Sequence, residues 1–450
     1  MLGALVGERP VASMQRVSGV DEVLTATDPK VYGDPVEVWV MTLRLCEASR
    51  RGAFAAVTAF AALAASACAR PAGHYAVDAA MVSAYRADVA PPHLAGVAPR
   101  APSAGAPSAA APMAGGAPWA GRYELLAGDL HCHVSPPDHP LEASRGPAET
   151  VELARDEGLD FVVLTPHVGA RFFAEPAERD AVVDGLARLR REIEGAAGAG
   201  GAPGGRATTF IYGLEYTDHQ YGHLGLSFAD LERVLAAVPA AVARTTPARF
   251  FEEYAAQGGL VVIHHPLVTP LDSVFSMARA NLSWRPFTAA HEAPFPPEIA
   301  AATRLAQGIE AYNLTVTHLR DRYLLGDTDR TLLATLALID RQILAQGRRI
   351  APVGGSDSHS DHVRTMTFVL SEGRSPAAIR EAIAAGRLCV RAPEACSLEV
   401  RAAGAGGAWA LAGGSLRGVR AVEARAGGGP VQILVNGNVV EEPEPGRAGG

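Results

Sequence analysis

The sequence predicts an α/β protein: a barrel of parallel strands wrapped in helices, with a small β-rich appendage at its C-terminal end. Three observations carry that expectation. Apolar runs of strand length alternate with helical stretches from Tyr123 to Ala385. Runs such as Phe161-Val162-Val163-Leu164 are apolar without a break, as in strands buried on both faces. Polar, chemistry-bearing residues recur where the runs end, which is the rim where such barrels collect their sites. The number of repeats favours a barrel over an open sheet.

The elements follow in order. Residues 124–133 form the first strand, and 147–157 a helix opened by Pro147 and stopped by Gly158. Strands over 159–165 and 208–214 flank a helix over 176–194. A helix over 247–257 ends at Gly258-Gly259 and leads into a strand over 260–264. A helix over 296–306 precedes a strand over 308–312, and a long helix over 327–346 precedes a strand over 350–354. The helix over 376–385 is the last. Residues 396–401, 419–424 and 431–440 are short and β-prone, with Asn436-Gly437 as a hairpin turn and Trp409 expected to pack among them. The α/β domain therefore spans 121–392, and 393–450 forms the β-rich region with a disordered end.

The front of the chain has a different composition. Arg50 and Arg51 precede an apolar run, Ala53 to Leu63, and then small residues up to Cys68. A positive segment, a short apolar segment and small residues before a cleavage point describe a secretory signal. The run is shorter than the ~20 residues a membrane-spanning helix needs. Cys68 after Ala65-Ser66-Ala67 resembles a lipoprotein cleavage motif, which implies a lipid on that thiol and membrane attachment. An ordinary signal peptide or a buried Ala-rich helix is the alternative. Met41 offers a second start, so residues 1–40 read as an over-extended frame, and 1–67 as that extension plus the signal. Residues 68–120, rich in Ala, Pro and Gly, read as a tether. The expected location is the cell envelope or periplasm.

The net charge is −8 with no basic stripe, so nucleic acid is not an expected partner. The five cysteines lack CxxC spacing, which removes a zinc finger or redox pair; Cys389 and Cys396 pair only if the compartment oxidises, and two separate thiols are the alternative. Histidine is the informative residue. Twelve of the 14 lie between His131 and His362.

These histidines sit at strand ends. The first strand closes in Asp129-Leu130-His131-Cys132-His133, and period two puts Asp129, His131 and His133 on one face. Asp138 and His139 follow in the loop. The next strands end in Thr165-Pro166-His167, in Gly213-Leu214-Glu215 with His219 and His223 after it, and in His264-His265-Pro266. Another carries Glu310, and the strand over 350–354 leads to Gly355-Ser356-Asp357-Ser358-His359. One histidine at a strand end is more often structural than a ligand. Five such ends on one rim, three with a carboxylate, need a shared partner, because each unpaired buried polar group costs several kcal/mol. Divalent metal ions are the simplest partner, two or three of them, since eight or nine ligands exceed one tetrahedral zinc. Mixed imidazole and carboxylate donors suit zinc, manganese or iron alike.

In order and spacing, Asp129-Leu130-His131-Cys132-His133, Leu164-Thr165-Pro166-His167, Gly213-Leu214-Glu215, Ile263-His264-His265-Pro266 and Gly355-Ser356-Asp357-Ser358-His359 resemble the motifs of the polymerase and histidinol phosphatase (PHP) family over residues 123–392. The resemblance implies a distorted (β/α)7 barrel and a di- or trinuclear centre that hydrolyses phosphate esters. Export and the β-rich end look closer to the carbaryl-hydrolase-like branch, in which some members cleave carbamate or aryl esters. Carried over by position, the resemblance makes His131, His133, Asp138, His167, Glu215, His223, His265, Asp357 and His359 the metal ligands. His139, His219 and His264 compete for three of these places. The chain departs from the family at Pro137-Asp138-His139 and at Pro166, where the family has an Asp.

No Gly-x-Ser-x-Gly elbow or catalytic-Cys context is present, so the expected nucleophile is metal-bound hydroxide attacking a phosphomonoester or phosphodiester of a small molecule. His359 is the expected proton donor to the leaving oxygen. Arg364, with Arg145 and Arg171, is a candidate clamp for an anionic substrate. Two other functions compete. A carbamate or carboxylester hydrolase on the same metals would use an apolar pocket, for which Phe172, Phe173, Phe275 and Trp284 are candidates. A non-catalytic metal- or polymer-binding surface lipoprotein would need lost ligands.

Overall fold

The computed structural model describes residues 119–199, 207–267, 283–316, 328–390 and parts of 396–440, with single gaps at 120, 141, 219 and 361. It also describes backbone strands at Gly3–Leu5, Val11–Val17 and Val20–Thr27, which extend one sheet edge. The expected signal segment, Cys68, the tether up to residue 118, His219 and Phe275 lie outside the described residues. Among the described residues no helix is long and apolar enough to cross a membrane.

The alternation of strands and helices is present. Strands β1 (Glu124–Cys132), β2 (Phe161–Leu164) and β4 (Thr209–Tyr212) pair in parallel. After β2 the chain makes the short β3 (His167–Val168), parallel to β5 (Leu214–Asp218), which continues β4 past Gly213. Strands β7 (Leu260–Ile263), β8 (Gly308–Asn313) and β9 (Ala351–Gly355) are also parallel. Helices α1 (Pro147–Asp156), α3 (Pro176–Ala199), α6 (Ala248–Ala256), α8 (Pro297–Leu305), α9 (Thr328–Gln346) and α10 (Pro376–Ala384) intervene, with short helices α2 (Arg171–Ala174), α4 (Leu231–Ala237), α5 (Ala240–Thr245) and α7 (Arg285–Thr288) between them.

The expectation of a wholly parallel sheet is corrected. Strand β6 (Gly222–Ser227) runs antiparallel to both β5 and β7. Strands β10 (Thr367–Ser371) and β11 (Leu388–Val390) form an antiparallel pair that continues beside β1. The two main sheets meet where β9 ends: Asp357 N donates to His131 O at 2.8 Å and His133 N to Ser358 O at 3.0 Å. These bonds tie the last motif to the first.

The core fills the space between strands and helices. Phe172, Phe173, Tyr216, Phe250 and Phe251 form one aromatic group with ring centroids 5.0–5.7 Å apart. Burying each phenyl ring stabilises by about 1.5–3 kcal/mol. A second apolar cluster joins β10 and β11 to the appendage through Leu370, Cys389, Cys396, Leu398 and Val400. Cys389 and Cys396 are bonded as a disulfide, the first of the two alternatives left open by the sequence. Beyond it lies a three-stranded antiparallel sheet of Glu399–Ala402, Ala410–Leu411 and Val422–Arg425, with Arg401 over the Trp409 ring at 4.4 Å. Gln432–Val435 and Asn438–Val440 pair antiparallel across the expected Asn436-Gly437 turn.

Candidate metal centre

The site is assembled at the C-terminal ends of β1, β7 and β9, with His167 from β3, Glu215 from β5, His223 from β6 and Glu310 from β8. Strand period places His131 and His133 on the same face, and both are fully buried. Asp129 lies beneath them. Its Oδ1 accepts from His131 N at 3.1 Å and from Ser356 N at 2.9 Å, so it anchors backbone and does not enter the cluster. Burial pushes its carboxyl up to about 6.

Glu215 is the hub. Its Oε1 lies 3.1 Å from His131 Nε2, 3.3 Å from His223 Nδ1, 2.7 Å from His264 Nδ1 and 3.7 Å from His265 Nε2. Its Oε2 lies 3.6 Å from His133 Nε2 and 3.3 Å from His167 Nε2. Asp357 Oδ1 stands 3.3 Å from His131 Nε2 and 3.2 Å from His133 Nε2. Three groups of ligand atoms at the heart of the cluster can each hold a cation: His131, His133 and Asp357; Glu215, His223 and His265; and His133, His167 and His359; two further groups, His131, Glu215 and His264, and Asp138, Glu142 and His167, overlap them.

The far nitrogens of the first pair are committed elsewhere. His131 Nδ1 meets Glu310 Oε1 at 3.1 Å, and His133 Nδ1 meets Asp138 Oδ2 at 3.0 Å. With both Nδ1 atoms donating to carboxylates, the two Nε2 atoms point at each other 3.1 Å apart, beside oxygens of Glu215 and Asp357. Three of these electron-rich atoms, His131 Nε2, His133 Nε2 and Asp357 Oδ1, face one point, and Glu215 borders it. A proton there serves two of the three, whereas a divalent cation would serve all three. The donor set fits zinc, manganese or iron, and the carboxylate–imidazole pairs are the outer contacts that orient metal-ligating histidines. Asp138 serves His167 as well, accepting from its backbone N at 2.7 Å and lying 3.2 Å from its Nδ1. Glu310 Oε2 accepts from His265 N at 2.7 Å and from Asn313 Nδ2 at 2.9 Å, which ties the first and second groups together.

The electrostatics agree. Burial disfavours the His131 imidazolium, yet Asp357, Glu215 and Glu310 outweigh it and hold the pKa well above the ordinary value. His133 is likewise buried, and Asp138 and Asp357 raise it to about 9. Glu215 and Asp357 sit well below the usual carboxylate range because their histidine partners outweigh burial. Burial lowers His223 and His359 to about 4. Without a cation, then, His131 and His133 carry protons at neutral pH in the places a cation would take. Binding must displace those protons, and falling pH favours them over metal. Apparent metal affinity should therefore rise with pH, about tenfold for each proton released, or about a hundredfold per unit for two between pH 6 and 8. Calorimetry in buffers of differing ionisation heat measures the protons released.

Backbone strain is concentrated at the cluster. Asp357 and His265 adopt φ of +50° and +23°, conformations that non-glycine residues rarely adopt and that surrounding bonds must hold. Close approach does the rest: a Cβ on Gly225 would stand 2.2 Å from His264 Nε2.

The structure brings together all nine residues that the family resemblance marks as ligands. His264 joins them, stacked on His131 at 3.6 Å and bonded to Glu215, and with those two forms a candidate cation group, so it remains a competitor for a ligand place. His139 is exposed in the loop and outside the three groups. Three arginines do not act as the expected clamp. Arg364 is not brought to the cluster: it is half exposed and pairs with Glu157 at 2.8 Å. Arg171 pairs with Glu175 and Glu178 on the surface. Arg145 is buried and bonded to protein groups throughout. Phe172, Phe173 and Trp284, candidates for an apolar pocket, are core residues. Glu310 fixes the His131 ring from the middle of β8, where the sequence marked only a carboxylate on a strand.

No family model and no curated protein matches the sequence. Solved structures do. One is a two-domain protein from Bacteroides vulgatus ATCC 8482, described as containing a predicted PHP-like metal-dependent phosphoesterase: 20% identity over 63% of this chain and 73% of that one, TM-score 0.37. Another is endonuclease Q in complex with a 27-mer duplex carrying an abasic lesion, at 15% identity, 58% and 56% coverage and TM-score 0.32. A third is an amidohydrolase from Chromobacterium violaceum, at 16% identity, 52% and 88% coverage and TM-score 0.27. None of these descriptions supports the carbaryl-hydrolase-like branch. At such identities and scores the functional reading rests on the geometry of the cluster itself.

Proposed function

We propose that this chain is a metal-dependent hydrolase of the PHP type, built on a distorted barrel, with two or three divalent cations and phosphate esters as its substrates. The observation that carries this reading is the convergence of His131 Nε2, His133 Nε2 and Asp357 Oδ1 on one point beside Glu215, while both Nδ1 atoms are held by carboxylates. When bound, such cations act as Lewis acids toward a phosphoryl oxygen and lower the pKa of a bound water. The protein's part is to hold the ligands rigid, with Glu310 and Asp138 fixing the rings and the buried core excluding water behind them. The His131 and Glu215 side chains are 1% exposed, whereas those of His167 and His359 are 23% and 31% exposed. The third group therefore faces the solvent and is the side from which substrate enters. His359 lies at this open edge, and burial lowers it to about 4, so at pH 7 it is available to a cation as a neutral imidazole.

The phosphoester reading is favoured over a carbamate or carboxylester one because Phe172, Phe173 and Trp284 are buried in the core. The non-catalytic surface module loses ground because the ligand set is complete. The test is turnover of p-nitrophenyl phosphate, bis-p-nitrophenyl phosphate, a short DNA duplex and naphthyl carbamate, each with and without chelator. Chelator-sensitive cleavage of a phosphate ester, restored by manganese or zinc, is expected. Cleavage of the carbamate alone would transfer the assignment to the second hydrolase class, and no chelator-sensitive turnover at all would remove it.

A further inference from the structure

We propose that Arg145 is the positioning residue for the outer, solvent-facing cation group, His133, His167 and His359. The inference rests on the metal-centre reading above and assigns Arg145 a role other than substrate contact. Arg145 is 1% exposed, so no substrate reaches it. Its guanidinium instead joins three separate parts of the chain. NH2 donates to His133 O at 2.6 Å and to Cys132 Sγ at 2.9 Å, at the end of β1. NH1 donates to Ser358 Oγ at 2.9 Å and to His362 O at 2.7 Å, and also to Ser360 O, on either side of His359. Nε donates to Thr150 Oγ1 at 3.0 Å on α1.

The arrangement has a physical signature. A buried guanidinium costs several kcal/mol unless its charge and donors are compensated. Here every partner among the described residues is a carbonyl, hydroxyl or thiol, so the planar fork is used for its five fixed donors. Its acceptors lie on both sides of one metal group: His133 and His359 stack with ring centroids 4.0 Å apart. The backbone repeats the tie, since Ser135 N donates to Arg145 O at 2.8 Å and Ser144 N donates to His359 O at 2.8 Å. Arg145 therefore sets the distance between His133 and His359. The His131, Glu215, His223 and His265 side chains are held by Glu310 and by one another, with no contact to Arg145.

The consequence is selective. Losing the fork should weaken the outer cation most and spare the Glu215, His223 and His265 group, which shares no ligand with it. Stepwise titration of the full chain with manganese, followed by calorimetry and elemental analysis, resolves the site classes, and His359→Ala identifies the outer one. In Arg145→Met and Arg145→Lys the outer affinity is expected to fall about 10–100-fold, with the Glu215, His223 and His265 site, which shares no ligand with it, within about threefold of wild type. Thr150→Val removes the Nε partner from a helix remote from the metals, and should weaken the outer site in the same direction by about 3–10-fold while the Glu215, His223 and His265 site stays within about threefold of wild type. Added guanidinium should restore outer occupancy in Arg145→Ala. An unchanged outer site in both Arg145→Lys and Thr150→Val would overturn the proposal. So would loss of all sites together in step with the melting temperature. A wild-type chain that binds no cation sinks the metal-centre reading itself, whereas a wild-type chain that binds cations beside insensitive variants sinks this inference alone.

Discussion

Glu215→Ala is expected to empty the inner sites and abolish hydrolysis. No other side chain touches so many of the candidate ligands: His131, His133, His167, His223, His264 and His265 all approach one of its two oxygens within 2.7–3.7 Å. A carboxylate in that position would neutralise charge for two neighbouring cations at once, so its loss would weaken both. It also leaves the imidazoles facing one another with no shared anion. A fall of about a thousandfold or more in kcat on the best substrate is expected, with metal content dropping in parallel. Glu215→Gln should do nearly as much harm, because its amide points an N–H donor where a cation would sit. Normal metal content in either variant would show that Glu215 does not bridge.

Gly355→Ala should be nearly as damaging, and for a steric reason. A methyl there would lie 2.3 Å from His131 Cβ and 2.5 Å from Glu310 Oε1. The backbone cannot yield, since Gly355 pairs with Asn313, Ser356 N is bonded to Asp129, and Asp357 N to His131 O. The methyl must displace His131 or Glu310. Overpacking of this kind costs about 1–3 kcal/mol. Loss of an oriented ligand costs a further 10–100-fold or so in metal affinity. Gly195→Ala is the matched control: it lies within helix α3, its added methyl meets nothing within 4 Å, and it should be neutral or stabilising by up to about 1 kcal/mol. Thermal melts and metal titrations of the two variants make the comparison.

Much of the site was legible because strand period and strand ends are properties of the sequence. His131 and His133 share a face because they are two residues apart, and His167, Glu215, His265 and Asp357 close apolar runs. What was hidden depends on pairing between distant segments. Gly222-His223-Leu224-Gly225 alternates small and polar residues with leucine, so β6 carries little apolar signal; its role as an antiparallel strand comes from its neighbours β5 and β7. Asp129 looked like a member of the cluster by period alone. Its carboxylate instead holds Ser356, 227 residues away, and no local pattern announces that contact. The arginines illustrate the same limit: a cation near a motif reads as a substrate clamp, and only folding shows that Glu157 holds Arg364 and that Cys132, His133 and Ser358 hold Arg145.

The most direct measurement is elemental analysis of the purified chain after dialysis, alongside manganese or zinc titration of the chelator-treated protein. Two or three divalent ions per chain, with at least two bound tightly at pH 8 and proton release on binding, are what the converging nitrogens and oxygens require. A folded chain that takes up no ion, or only weakly at any pH, would mean that His131, His133, Glu215 and Asp357 meet without a cation between them.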